Sequence, residues 1–425
     1  MVAALVLIFI VVYAAIALEH PLKISKSASA LFGAGLLWSV YALSIDYHGR
    51  LGHELDETVT ATARITFFLL GAMTIVEVID AHEGFSLITS RIRTRRLTGL
   101  LWLVSWVTFF LSAILDNLTT TIVMVSLMRK LMDRGDDRLL FSSVIVIAAN
   151  AGGAWSPMGD VTTTMLWIGG QVTALGIIEA LFFASVVNLL VPLIVMTFGL
   201  RGKPFETAGV AYETSNFPPF ERNTMFALGL GVLVFVPAFK QITHLPPFMG
   251  ILFGLGILWL SGEILHKGKP PEARHKLTVA HALSRIDLSS LLFFVGILLA
   301  VATLEHAKIL DAMAGWLDRT VGRQDVTVLL LGLLSAIVDN VPVVAASMGM
   351  YPLSQYPTDS FLWEFMAYCA GTGGSILIIG SAAGVAAMGI EKIQFIWYMR
   401  RIAWLAMLGY FAGTVVYVVQ FRLMH

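Results

Sequence analysis

Apolar residues run along this chain in blocks separated by short polar and charged stretches. The blocks fall at about residues 1–18, 28–45, 58–80, 98–132, 139–170, 176–200, 224–240, 246–262, 287–305, 326–355, 361–390 and 402–420. A helix that crosses a bilayer needs roughly 17–25 such residues, because its backbone polar groups find no water there and must pair within the segment. Most blocks therefore predict single membrane spans.

Four blocks break the pattern, in two matched pairs. The blocks 98–132 and 326–355 each carry an Asp-Asn pair near the centre and charges beyond both ends. Each predicts a re-entrant hairpin of two short helices that meet at a polar tip and return to the side they left, a geometry tolerated only where protein or water surrounds it. The blocks 139–170 and 361–390 are interrupted by Asn150-Ala-Gly-Gly-Ala-Trp-Ser-Pro-Met-Gly-Asp160 and by Gly371-Thr-Gly-Gly-Ser-Ile-Leu-Ile-Ile-Gly-Ser381. Such breaks free backbone carbonyls and half-helix ends, ready ligands for a cation.

The pairs are copies. Ser-Ala-Ile-Leu-Asp-Asn at Ser112–Asn117 recurs as Ser-Ala-Ile-Val-Asp-Asn at Ser335–Asn340, 223 positions later. The Gly-rich breaks superpose at an offset of 221, placing Gly152-Gly153 on Gly373-Gly374, Gly159 on Gly380 and Asp160 on Ser381. An Asp at the centre of a membrane helix costs about 2.5–3.5 kcal/mol even on the lenient insertion scale, so its repetition points to a polar site shared by two repeats.

Basic residues set the expected topology. With the N-terminus outside, ten crossings and the hairpins entering from opposite faces, 21 of the 28 Lys and Arg fall inside. The halves then start on opposite sides. The predicted fold is an all-α polytopic membrane protein with two inverted repeats, about ten crossings, two re-entrant hairpins and two broken helices. The first repeat covers 1–200, with hairpin 98–132 and broken helix 139–170. A cytoplasmic linker covers 201–223. The second repeat covers 224–425, with hairpin 326–355 and broken helix 361–390. The apolar N-terminus lacks a basic n-region and reads as a retained first span rather than a signal peptide.

Composition agrees: of 425 residues 57% are hydrophobic and 13% charged, with mean hydropathy +0.81, where a soluble protein would hold about 25% charged residues. Zero net charge argues against nucleic-acid binding. The single cysteine, Cys369, permits no internal disulfide and no thiolate metal site, and reads as a packing residue. No Walker loop, His-Glu-x-x-His or G-x-S-x-G motif is present, so the chain is read as a transporter without resident cofactor, driven by an ion gradient or passive.

Asp116-Asn117 and Asp339-Asn340 are the strongest chemical signal. A carboxylate binds a proton or a small hard cation, and in a low-dielectric site the two compete. Each Asp also suits the N-cap of the helix behind it. Ser112 and Ser335 precede the Asp by one turn and share its face. Asp160, followed by Thr162 and Thr163, has Ser381 as its counterpart, so one half keeps the acid. Asn150, Thr372 and Ser375 add neutral oxygens. Glu77, Asp80, His82, Glu305 and His306 lie at span ends; they read as interfacial charges or as a proton route and pH sensor.

The string Asn150–Thr164, the two Asp-Asn tips and Gly371–Ser381 resemble the NhaD-type sodium/proton antiporters of the ion transporter superfamily, over about Thr58 to Ile390. The resemblance implies exchange of Na⁺ or Li⁺ for H⁺ in a bacterial inner membrane, supporting salt and alkali tolerance, by a homodimer whose protomers each have a scaffold and a mobile transport domain. Carried over by motif, the ion-handling residues are Ser112, Asp116, Asn117, Asn150, Asp160, Thr162, Thr163, Ser335, Asp339, Asn340, Thr372, Ser375 and Ser381, with Na⁺ in the region of Asp116, Asp339 and Asp160. Two rivals stand beside it: an oxyanion or arsenite permease of the same fold, which needs fewer carboxylates and more donors, and an intramembrane di-aspartyl protease using Asp116 and Asp339.

Overall fold

The computed structural model describes residues 1–17, 19–44, 50–89, 96–132, 135–201, 217–270, 274–337 and 339–424. Most of the linker 201–223 and three of the four arginines at 91–96 lie outside the described residues. Every element among the described residues is a helix. The principal helices are α1 Val2–Ala17, α2 Lys26–Ser44, α3 Arg50–Ala81, α4 Leu97–Ser112, α5 Asn117–Leu131, α6 Asp136–Ala154, α7 Val161–Gly169, α8 Ala174–Leu200, α9 Pro219–Thr243, α10 Pro247–Leu265, α11 Leu288–His306, α12 Ile309–Val321, α13 Gln324–Leu334, α14 Asn340–Met350, α15 Phe361–Gly373, α16 Ala382–Glu391 and α17 Ala403–Met424.

Among the described residues, six helices are long and apolar enough to cross a bilayer: α3 from Leu51, α8, α9, α10, α11 and α17. The apolar helices α1, α4, α13, α14 and α16 are shorter. Large apolar side chains such as Phe183, Phe198, Val234, Phe253, Leu260, Ile264 and Leu423 face outward. An outer surface of this kind is stable against lipid tails and costly against water. The chain is a multi-pass membrane protein.

The helices sort into two packed groups, each drawing on both halves of the sequence. The first holds α1, α2, α3, α9, α10 and α11; the second holds α4–α8 with α13–α17. Between them the main contacts run from α11 to α14 and from α3 to α7, with the amphipathic α12 wedged against α11, α13 and α14. Within the second group α8 and α17 cross at short range. Cβ atoms on Gly409 and Gly413 would run into the Asn188 carbonyl oxygen and, at 2.5 Å, that of Ala184. Two glycines four apart make a flat stripe on which a neighbouring backbone can lie, the usual device for close packing where lipid leaves no hydrophobic drive between helices.

Each of the four irregular blocks folds as two helices joined at a polar turn. The 98–132 block becomes α4 and α5, turning through 113–116; the 326–355 block becomes α13 and α14, with Ser335, Ala336 and Ile337 in the turn that follows α13 and Asp339 at the cap of α14. The 139–170 block breaks between α6 and α7, and the 361–390 block between α15 and α16. The same order of elements therefore occurs twice.

Candidate functional site

The helix breaks are held by identical contacts in the two halves. A Cβ on Gly152 would strike the Phe109 carbonyl oxygen of α4, and one on Gly373 would strike the Gly332 carbonyl oxygen of α13. Cβ atoms on Gly159 and Gly380 would lie 2.6 Å from the Ser112 and Ala336 carbonyl oxygens. Glycine is required at these four places because backbone lies directly on backbone. The hydroxyl of Ser112 donates to the Ala149 carbonyl at 2.7 Å, and that of Ser335 donates to the Ala370 carbonyl at 2.9 Å. These serines lock the helix pair to the broken helix beside it rather than presenting a free hydroxyl.

Four helices begin where these breaks meet, each with a polar N-cap. Asp116 caps α5, accepting from Thr119 N at 2.7 Å and Thr119 Oγ1 at 2.8 Å. Asp160 caps α7, accepting from Thr162 N and Thr162 Oγ1, both at 2.9 Å. Asp339 caps α14 through Val341 N at 3.3 Å, and Ser381 caps α16 through Gly384 N at 3.2 Å. Four helix N-termini bring partial positive charge to one place, and three of the four caps answer it with a carboxylate.

Asp160 is the centre. Its residue is 1% exposed. Asn117 Nδ2 donates to its Oδ2 at 2.6 Å, and Asn340 Nδ2 reaches Oδ2 at 3.2 Å and Oδ1 at 3.3 Å. The two tip asparagines, one from each copy of the repeat, thus clasp one carboxylate. Asn117 Nδ2 also donates to Asn150 Oδ1 at 3.0 Å, while Asn150 Nδ2 donates to Ser381 Oγ at 2.9 Å and Ser375 Oγ at 3.0 Å. Asn117, Asn150, Asp160, Thr162, Asn340, Ser375 and Ser381 form one buried network. Among the described residues no Lys, Arg or His pairs with Asp160, so its charge is met by amide and hydroxyl donors alone.

Other expected site residues stand around this network in different roles. The hydroxyls of Thr163 and Thr372 donate to the Asp160 and Tyr368 carbonyls at 2.9 and 2.6 Å, closing their own helix turns. Asp116 and Asp339 turn to their own helix starts. Among the described residues no three Asp, Glu, His or Cys side chains gather at a single metal-binding point, so the three aspartates do not form one coordination shell. A cavity of about 50 Å³ adjoins Asp116, Asn117 and Thr119 and runs between them and Lys26, Ala72 and Met73 of the first group. It has room for several waters.

The outlying candidates have partners of their own. Glu77 pairs with Arg285 at 2.9 Å. His82 Nδ1 lies 2.7 Å from the Val78 carbonyl, and its Nε2 lies 3.2 Å from His266 Nε2. His306 Nε2 lies 2.9 Å from Thr58 Oγ1. Asp80 and Glu305 are exposed at the ends of α3 and α11.

Three charged groups escaped the sequence reading. Lys26 reaches Asp339 Oδ2 at 3.0 Å. Glu391, 3% exposed, accepts from Arg138 Nε at 3.0 Å and has Arg129 3.9 Å away, tying α16 to the ends of α5 and α6. Glu364, 7% exposed within α15, accepts from the Tyr417 hydroxyl at 3.0 Å. The available signal was position: all three lie within a few residues of an apolar block or inside one.

Residues 2–371 match the citrate transporter family, CitMHS. The chain belongs to that family. Within it the chain is of the NhaD type and is not an enzyme: it is 31% identical over 446 aligned positions to the Na(+)/H(+) antiporter NhaD of Vibrio cholerae, covering 97% of this chain and 91% of that protein. It is 50% identical over 416 positions to sodium/proton antiporter 1 of Arabidopsis thaliana, covering 97% of this chain and 72% of the relative. Sodium/proton antiporter 2 of the same plant is 47% identical over 97% of this chain and 98% of its own length. The YdaH transporter of Alcanivorax borkumensis shares the fold, with a TM-score of 0.60 over 93% of this chain and 98% of that one, at 12% identity.

Proposed function

We propose that this protein exchanges Na⁺, or Li⁺, for H⁺ by alternating access, with Asp160 as the central ion-binding carboxylate. The observation that carries the reading is Asp160 itself, buried among neutral donors and, among the described residues, with no cationic side chain paired to it. An unpaired charge in such a place is costly, so the carboxylate is occupied by a proton or a metal ion. Both seek the same oxygens, and one displaces the other. When Na⁺ is bound, the asparagine side chains turn their carbonyl oxygens toward it, and Asn150 and the carbonyls around the breaks add further oxygens.

A citrate-like anion is the cargo the family description suggests. Four helix N-termini alone would suit it. Here three carboxylate caps stand where the anion would sit, and like charges at short range oppose entry. Relatives named sodium/proton antiporters support the cation reading.

In this reading the two halves are inverted repeats with ten crossings and two re-entrant hairpins. The group holding α4–α8 and α13–α17 is the transport unit, and it moves against the other group, which serves as scaffold and dimer interface. The host is an energised membrane, such as a bacterial inner membrane, with the N-terminus outside; the relatives come from bacteria and a plant.

Everted vesicles carrying a trapped proton gradient test the proposal. Adding Na⁺ or Li⁺ should collapse the gradient in wild type, K⁺ should not, and Asp160→Asn should abolish the response. Full Na⁺-driven exchange in Asp160→Asn would refute the assignment.

A further inference from the structure

The break between α15 and α16 is braced by a residue that the sequence reading passed over. The short helix Phe395–Arg401 joins α16 to α17. Ile396, Met399 and Arg400, three and four apart, face outward from it, while Tyr398 turns inward and is 0% exposed. A buried phenolic hydroxyl needs a partner. Here it donates to the Ser375 carbonyl at 2.7 Å. In the same break Ser375 N, Ile376 N and Gly380 N donate to the Thr372, Gly373 and Leu377 carbonyls, each at 3.0 Å, so the turn satisfies those oxygens by itself. The Ser375 carbonyl is met instead by a side chain 23 positions away.

We propose, on the reading of the site given above, that Tyr398 is a positioning residue of the ion site: by holding the Ser375 carbonyl it sets the Ser375 hydroxyl toward the ion. The two oxygens of Ser375 have separate tasks. Its carbonyl meets Tyr398, and its Oγ accepts from Asn150 Nδ2 at 3.0 Å. Asn150 Oδ1 in turn accepts from Asn117, whose Nδ2 donates to Asp160. A chain of hydrogen-bonded residues thus runs from Tyr398 to Asp160 through Ser375, Asn150 and Asn117. Tyrosine suits such a strut because it fixes a donor at the end of a stiff ring with few rotatable bonds.

The first half has no equivalent strut. At the offset of 221 that superposes the Gly-rich breaks, Ser375 falls on Ala154 and Tyr398 on Ile177, both buried and apolar. The asymmetry matches that of the caps, where one half supplies the acid, Asp160, and the other a hydroxyl, Ser381. Asp160 is placed by its own helix start. A serine in a turn has several rotamers open to it, and a fixed backbone narrows the choice. The choice matters for a small cation, because a rigid oxygen shell distinguishes ions by size and a loose one does not.

Calorimetric binding of Na⁺ and of Li⁺ to the purified protein in detergent, at one fixed alkaline pH, tests the proposal. Tyr398→Phe should weaken Na⁺ binding roughly fivefold, the order expected for one hydrogen bond, and move the ratio of Na⁺ to Li⁺ dissociation constants toward one. Ser375→Ala should cost about as much. Tyr398→Phe added to it should cost no more, since the tyrosine acts through that serine. A residue that merely stabilised the fold would lower both affinities alike and add to Ser375→Ala in full. Placing 4-aminophenylalanine at position 398 keeps a donor and should restore wild-type binding. If Tyr398→Phe fails to fold, 4-fluorophenylalanine, which fills the space of the hydroxyl without donating, takes its place. An unchanged Na⁺ to Li⁺ ratio, or full additivity with Ser375→Ala, overturns the proposal. Asp160→Asn in the same assay separates the two readings: wild-type Na⁺ affinity there overturns both, whereas lost binding there beside wild-type affinity and ratio in Tyr398→Phe overturns this one only.

Discussion

Asn117 and Asn340, 223 positions apart in the chain, donate to the same carboxylate, that of Asp160, and do so unequally: 2.6 Å from Asn117 against 3.2 Å from Asn340. A hydrogen bond to a charged group contributes about 1.5–3 kcal/mol. Asn117→Ala removes that donor from the ion-free site, which favours Na⁺, and also the carbonyl oxygen that would turn to the bound ion, which opposes it; with the ligand loss the larger effect, the apparent KM for Na⁺ should rise about tenfold in vesicle flux assays. Asn340→Ala, with the longer bond, should cost less. The double variant should fall short of the product of the two effects, since both act on one group.

The matched glycine contacts make a second expectation. Gly152→Ala and Gly373→Ala each push a Cβ into a backbone carbonyl, which cannot swing away as a side chain would. Each should lower stability by about 1–3 kcal/mol and spread the helix pair from the broken helix. Thermal unfolding in detergent checks this, with Gly256→Ala, which has open space around it, as the silent control.

Glu391 and Arg138 give a third. Removing one partner of a buried ion pair costs about 3–5 kcal/mol, while replacing both with apolar groups is often tolerated. Glu391→Ala should greatly reduce the yield of folded protein, and Glu391→Leu with Arg138→Met should restore much of it. Folded protein recovered after size-exclusion chromatography is the readout.

The stacked histidines just beyond α3 and α10 predict a pH dependence. Their ring centres are 5.0 Å apart. Burial, then His82 and Lys269, hold His266 down from 6.5 to about 4, and burial likewise lowers His82. The unfolded chain takes up these protons near pH 6.5; the folded chain takes them up below that, His266 only near 4. The contribution to stability is thus complete above pH 6.5 and lost as pH falls from there toward 4. Melting temperature should drop by a few degrees between pH 7.5 and 5, and His266→Phe should flatten that slope.

Much of this architecture could be read from residues alone. The apolar blocks became helices, and the Asp-Asn and Gly-rich interruptions became turns, because a backbone removed from water must pair with itself except where side chains cap it. The amphipathic α12 escaped because its apolar face is too narrow to form an unbroken run. The grouping of carboxylates was the harder question. Spacing put Asp116 and Asp339 at matching turns, but which way each side chain points depends on competition between its own helix N-terminus and its neighbours. Asp116 and Asp339 turned to their own helices, and Asp160 received the asparagines. Lys26 looked like one more basic residue at a span end, since nothing local to it reveals a partner 313 positions away.

The meeting of four helix starts has a consequence for how such a scaffold changes its passenger. Backbone dipoles favour a negative guest there, and only a few short side chains reverse that preference. Exchanging aspartates for serine or asparagine at 116, 160 and 339 would leave every helix in its place and invite an oxyanion instead, so the sign of what is carried is written in side chains while the path is written in the main chain.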